Sequence, residues 1–338
     1  MSHKKRKRLS LDAEQIRTSV IFSVVILLFL VQVIKSPTIT YSTATFFDYI
    51  RKTIMSVVSI GYIAAGVTLS IITGNIDLST GKIMTLCAIV SCTITTKYSD
   101  SLNPTMIALL ALALPLAVGI LCGAINGLLV GKLKLNAFVA TFSTSYVFEA
   151  VAVMYNGGRT VNAKSNEIFE WLGNGKILSI PVPIILLIVI YLVLGVVLSK
   201  TVFGKKIYAV GGNKAASRLS GISPAKTIWI TYIITGFLSA MAGIFIGSWT
   251  RTADMLIGTN KEFNAITAVV LGGTLLSGGV GKLSGTFVGI LFLGVLDMFY
   301  IQYGIPDMWQ WIVKGSILVV MLYVNGVVEK SKSRRKAL

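Results

Sequence analysis

Gly74-Asn75-Ile76-Asp77-Leu78-Ser79-Thr80-Gly81-Lys82 is a polar, glycine-bracketed insert between two apolar stretches. Irregular or charged chain near membrane depth survives only where protein or a water-filled cavity surrounds it. In a chain built for lipid, such an insert belongs to a conduit and is a candidate for its working part. The composition decides whether this is such a chain.

Of 338 residues, 54% are hydrophobic and only 13% charged, where a soluble protein carries roughly a quarter. With a mean hydropathy of +0.79, the sequence is that of an integral membrane protein. The formal charge of +18 does not point to nucleic acid, because a nucleic-acid reader gathers its basic residues on a folded polar surface. Here they fill the breaks between apolar runs. Lys4 to Arg8 open the chain as a basic run, and Lys330, Lys332, Arg334, Arg335 and Lys336 close it. By the positive-inside rule both basic tails, 1–17 and 328–338, are expected in the cytoplasm. The apolar run Ser19 to Ile34 resembles a signal peptide, but Lys35-Ser36-Pro37 follows it in place of a small-x-small cleavage site, so it is read as a spanning helix.

About 20 apolar residues cross the hydrocarbon as a helix. On that measure spans are expected near 18–34, 53–73, 82–97, 105–131, 136–155, 180–199, 226–248, 263–277, 284–302 and 309–327. The expected fold is an all-α polytopic membrane domain over 18–327 with about ten transmembrane helices, some short or broken. Threading from a cytoplasmic start places Lys132, Lys134 and the 200–226 loop inside, and 156–179 and 249–262 outside. Arg51 and Lys52 fall outside, against the charge bias. The segments at 82–97 and 263–277 are short, and the second runs into Leu271-Gly272-Gly273-Thr274-Leu275-Leu276-Ser277-Gly278-Gly279. Short, glycine-interrupted segments in both halves are how discontinuous helices along a transport path look in sequence; close helix packing through small residues gives the same pattern. Thr80-Gly81-Lys82 echoes Val280-Gly281-Lys282, and Ile125 to Val130 echoes Val324 to Val328, both about 200 residues apart, a faint sign of two related halves.

Several chemistries are disfavoured. The single histidine is His3, and the 13 acidic residues are scattered, so neither a histidine base nor clustered metal ligands are available. Cys87, Cys92 and Cys122 lie in apolar segments without metal-ligand spacing and read as small buried hydrophobes. Gly74 to Lys82 and Gly278 to Lys282 are not Walker loops: the glycine spacing is wrong, and Ile83 and Leu283 stand where Ser or Thr is required. No catalytic residue, metal site or cofactor is expected in this chain.

The loop 200–226 is the longest expected cytoplasmic connection. Asn213 suits a helix N-cap, Ala215 to Leu219 favour helix, and Gly221 suits its end. A short basic helix of this kind fits the grip of a soluble motor subunit or a resting place on anionic lipid. Asp77 reads as a functional intramembrane acid or as the cap of the helix that follows it. Asp297 with Lys314 reads as a paired structural lock. Asn126, Asn136, Thr141, Ser143, Thr144 and Thr274 could offer hydroxyl and amide groups to a passing polar solute, or bond neighbouring helices.

Tyr208-Ala209-Val210-Gly211-Gly212-Asn213-x-Ala215-Ala216, closing on Gly221-Ile222, resembles the cytoplasmic loop of the inner-membrane permeases of ABC monosaccharide importers. Gly74 to Gly81, Gly157-Gly158-Arg159, Asn264 to Gly279 and Ile312-Val313-Lys314 resemble further motifs of that family, in the same order over roughly 55–325. The resemblance implies a ten-helix permease in the bacterial cytoplasmic (inner) membrane, paired with a second copy or a homologous permease, with the substrate path along their interface. It implies an ABC ATPase that binds the ATP and Mg, docked at Gly212, Asn213, Ala215, Ala216, Arg218 and Gly221, and an extracytoplasmic sugar-binding protein. The path or its helix breaks are then expected at Gly74, Asn75, Asp77, Ser79, Gly81, Asn126, Thr141, Glu149, Asn264, Gly272, Gly273 and Thr274. A permease for a nucleoside or signalling sugar derivative, and an ion-coupled carrier with Asp77 and Glu149 as ion sites, are the alternatives. The chain departs from the family pattern at Asn75, at Lys82 where a small residue is common, at Asn264 where Asp is usual, and at Glu149 where an arginine is usual.

Overall fold

The computed structural model describes residues 43–337, with 23, 26–27 and 30–31 helical ahead of them, and side chains between 45 and 326. The expected first span at 18–34 and the basic tail 1–17 therefore fall almost wholly outside the described residues. Twelve helices follow: α1 Thr43–Ile72, α2 Thr80–Lys97, α3 Pro104–Gly127, α4 Ala137–Asn156, α5 Glu167–Asn174, α6 Val182–Lys200, α7 Val202–Gly212, α8 Lys214–Leu219, α9 Pro224–Thr250, α10 Lys261–Leu271, α11 Leu283–Gln302 and α12 Asp307–Ala337. A π-helical turn at Leu128–Lys132 continues α3, and two small antiparallel pairs complete the described elements. Val161–Asn162 pairs with Thr252–Ala253, tying the segment after α4 to the segment after α9, and Lys176–Ile177 pairs with Ile180–Pro181 across a turn.

Seven helices among the described residues are long and apolar enough to cross a membrane, so the expected count of about ten full crossings is not reproduced there. Two differences account for specific segments. In place of the expected span 263–277 the chain forms α10, only eleven residues from Lys261 to Leu271, about 16 Å of helix against a hydrocarbon core of about 30 Å. Gly272 and Gly273 end it, the latter at φ 98°. The expected span 53–73 begins instead at Thr43. That places Arg51 and Lys52 on α1, where both pair with Asp48 one turn earlier, rather than in an outer loop.

Burial orders the bundle. α1 and α9 are mostly enclosed, whereas α4 and α12 are largely open. A helix apolar on every side belongs in the interior, and α1 supplies Val57, Val58, Ile60, Tyr62, Ile63 and Leu69 to the main core. α2 is buried by its neighbours although Lys82, Lys97 and its threonines lower its apolarity. α9 packs on α3, α2 and α1, and its closest approach is to α3. Gly119, Gly123 and Gly127, four residues apart, lie against the backbone of Gly236, Tyr232 and Trp229. This is the small-residue stripe that lets membrane helices touch backbone to backbone.

Candidate translocation and coupling site

The insert that opens the sequence is an irregular segment sealed inside the bundle. Gly74, at φ 76°, stops α1 in the left-handed conformation that glycine adopts without strain, and its N–H donates to Ile71 O at 2.8 Å. Asn75, Asp77 and Ser79 are then all 5% exposed or less. Their surroundings satisfy the freed backbone, as lipid depth requires. Leu78 N donates to Thr141 Oγ1 at 3.0 Å, and Tyr232 Oη donates to Ile76 O at 3.1 Å. A polar chain leads away from the acid: Thr144 Oγ1 donates to Asn126 Oδ1 at 2.7 Å, Asn126 Nδ2 to Ser79 Oγ at 2.7 Å, and Ser79 Oγ to Asp77 Oδ1 at 2.6 Å. Ser79 stands at the N-cap position of α2 without a side-chain cap bond, and the group that bonds the free amide there is Asp77. Its Oδ1 folds back on Ser79, accepting also from Ser79 N at 2.9 Å, while Oδ2 has no hydrogen-bond partner among the described residues.

The second glycine loop meets the first. Gly279 N donates to Ile72 O at 2.8 Å, so the carbonyl at the end of α1 is closed by a residue some 200 positions away. Gly272 packs on the backbone of Gly285, and Thr274 is fully buried beside Gly281. Asn264 lies on α10, half-buried, and is not joined to the Asp77 chain by any described hydrogen bond.

The 200–226 connection folds as two helices, α7 and α8. Asn213 Oδ1 accepts from Ala215 N and Ala216 N, both at 2.9 Å. Gly221 ends the unit at φ 75°. Gly212, Asn213, Ala215, Ala216, Arg218 and Gly221 are all exposed, and Leu219 at the end of α8 is 92% exposed. The opposite side is anchored where the two glycine loops meet. A methyl group on Gly211 would collide with Ile72 O and Gly279 N, Tyr208 Oη donates to Gly281 O at 2.7 Å, and Lys214 Nζ reaches Asn75 Oδ1 at 3.4 Å. Desolvation, helped by nearby Arg218, holds the Lys214 ammonium below the usual lysine value. Three segments distant in sequence, 72–75, 208–214 and 278–281, form one joint.

Glu149 and Lys82, two of the departures from the family pattern, are partners: Nζ to Oε1 is 2.6 Å. Asp297 and Lys314 also pair, at 2.6 Å, linking α11 to α12. Sequence reasoning missed the roles of Gly211, Tyr208, Tyr232 and Glu262 in these contacts; for Lys82, the signal was the coincidence of two unusual charges of opposite sign. No group of three or more His, Cys, Asp or Glu among the described residues could hold a metal ion.

Residues 49–322 match the family described as branched-chain amino acid transport system / permease component. The chain is 34% identical over 307 residues to the ribose import permease protein RbsC of Escherichia coli K12, covering 90% of this chain and 92% of that one. It is 36% identical over 266 residues to the ribose import permease protein RbsC of Bacillus subtilis, covering 78% and 80%. To the L-arabinose transport system permease protein AraH of Escherichia coli K12 it is 30% identical over 272 residues, 80% of each. No solved structure matches the chain significantly. With membrane-length helices and relatives of this kind over most of its length, the chain belongs to the monosaccharide permease family of ABC importers, whose members are membrane transport components and not enzymes.

Proposed function

We infer that the chain is the membrane-spanning permease subunit of an ATP-binding cassette importer that carries a monosaccharide across the cytoplasmic membrane by alternating access. A separate ATPase chain binds ATP and Mg and docks on the exposed face of α8. A second permease copy or a homologous permease completes the path, an extracytoplasmic protein delivers the sugar, and both termini lie in the cytoplasm. The observation that carries this reading is the joint at Gly211: the exposed helix α8, which a soluble motor could grip, follows directly on α7, whose Tyr208 and Gly211 are packed on both helix breaks at once, and its first residue Lys214 reaches Asn75. A push on α8 moves the ends of α1 and of the 272–282 loop together, which is what switching a path between two sides requires.

Reconstitution tests it. In vesicles holding the chain with its ATPase and sugar-binding protein, labelled pentoses or hexoses should accumulate only with ATP. Ala216→Glu, on the exposed face of α8, should abolish ATPase docking and uptake together. Docking and uptake that both survive would remove the coupling role of α8. Uptake by the purified chain alone in ATP-free vesicles would replace the whole reading with an ion-coupled carrier.

A further inference from the structure

The Lys82–Glu149 pair joins the first turn of α2 to the interior of the membrane-length helix α4. Glu149 is the thirteenth of the twenty residues of α4, about 18 Å along the axis from its start, and Lys82 is the third residue of α2. Neither side chain is sealed: 18% of the Lys82 side chain and 31% of that of Glu149 remain open. Charges at that depth face a bundle interior or water rather than acyl chains, so the open side of the pair borders a hydrated space. Behind it stands a second carboxylate. Glu262, in the first turn of α10, is 8% exposed, and its Oε2 lies against Gly81 with no hydrogen-bond partner among the described residues. It is within electrostatic range of both Lys82 and Glu149. One ammonium against two carboxylates leaves a net negative charge at this point. Its neighbour Lys261 feels Asp297 and Lys314 instead, a set of opposite sum whose ion pair is less open, at 15% and 17%.

We propose that Lys82 and Glu149, backed by Glu262, are the polar station of the sugar path at mid-depth and act there as a charge filter, passing neutral and cationic sugars and turning back anionic ones such as sugar phosphates and sugar acids. Lys82 donates to passing hydroxyls and Glu149 accepts from them, each replacing part of the other's hydrogen bonding as the sugar moves by. This rests on the reading of the chain as a sugar permease.

The test is thiol accessibility in the vesicle-reconstituted complex. Tyr146→Cys and Val153→Cys place thiols one turn to either side of Glu149, at positions 60% and 40% exposed, while the native Cys87, Cys92 and Cys122 are buried and give the background. Two membrane-impermeant methanethiosulfonates are compared, one trimethylammonium and one sulfonate, each normalised to its rate on a free thiol. The cationic reagent is expected to be favoured by about fivefold or more. Glu262→Gln should lower that preference and Lys82→Gln should raise it, opposite shifts that a mere loss of structure does not produce. Failure of either thiol to react places the face against lipid or a sealed contact, and equal normalised rates remove the filter; either result overturns the proposal. Sugar uptake in the same vesicles is scored separately: uptake without the charge preference sinks the filter alone, and the preference without ATP-driven uptake sinks the sugar-permease reading alone.

Discussion

Gly211 carries no side chain because the carbonyl of Ile72 and the amide of Gly279 occupy the space one would need. Gly211→Ala should therefore lower the stability of the purified chain by about 1–3 kcal/mol, the usual range for overpacking, seen as a fall in Tm, and ATP-driven uptake should fall with it. Gly212→Ala, at the last residue of α7, whose methyl group would meet nothing within 4 Å, should leave Tm within a degree or so, since nothing has to move to admit it. Ser79→Ala removes the hydroxyl that joins Asn126 Nδ2 to Asp77 Oδ1, stranding the buried Asn126 amide and leaving Asp77 Oδ1 only the backbone N–H of residue 79; a loss of about 1–3 kcal/mol is expected from thermal unfolding. At this scale the sequence singled out Asp77, Asn126 and Thr141 as unusual for a membrane interior. It did not reveal that Asp77 leans on Ser79, because Ser79 is held by Asn126 and Thr144 on α3 and α4, and the approach of those helices is set by glycine contacts elsewhere. Lys82 and Glu149 are 67 residues apart, and only their matching oddity of charge linked them.

Elements were legible where a single periodic run sufficed. Asn213, Ala215 to Leu219 and Gly221 predicted α8 with its cap and its stop, since capping chemistry is local. The start of α1 was not legible, because Asp48, Arg51 and Lys52 read as loop until their mutual pairing on one helix face is known. α10 was expected to extend to 277 since Leu275 and Leu276 continue the apolar run; Gly272 and Gly273 outweigh them by turning the chain against Gly285. The lock between α11 and α12 offers a prediction of its own. With side chains only 17% and 15% exposed, Asp297→Ala or Lys314→Ala alone should leave an uncompensated charge and cost about 3–5 kcal/mol, while Asp297→Leu with Lys314→Met should cost much less. A double-mutant cycle on thermal stability reads the difference, and additive losses would mean that the two charges are not coupled.

Across the whole molecule, the bundle is organised around helices that touch at glycines, and its two polar interruptions meet at one joint instead of standing apart. Composition and run length were enough to give the class of fold, because membrane-spanning chain has few structural options. The meeting of 72–75 with 278–281 was beyond sequence reading, for it depends on α9 and α10 returning the chain to the end of α1. That joint has a consequence for biosynthesis. A chain emerging from the ribosome contains α8 long before it contains Gly278 to Gly281, so the docking helix exists for some sixty residues of synthesis without the backbone it rests on. A motor that recognises α8 only in its seated position would ignore unfinished or mis-threaded permeases, making the joint an assembly checkpoint. A chain ending at Leu271, and full-length Gly279→Val, should both fail to co-purify with the ATPase although every exposed residue of α8 is present; equal co-purification would mean that α8 is competent before it is seated.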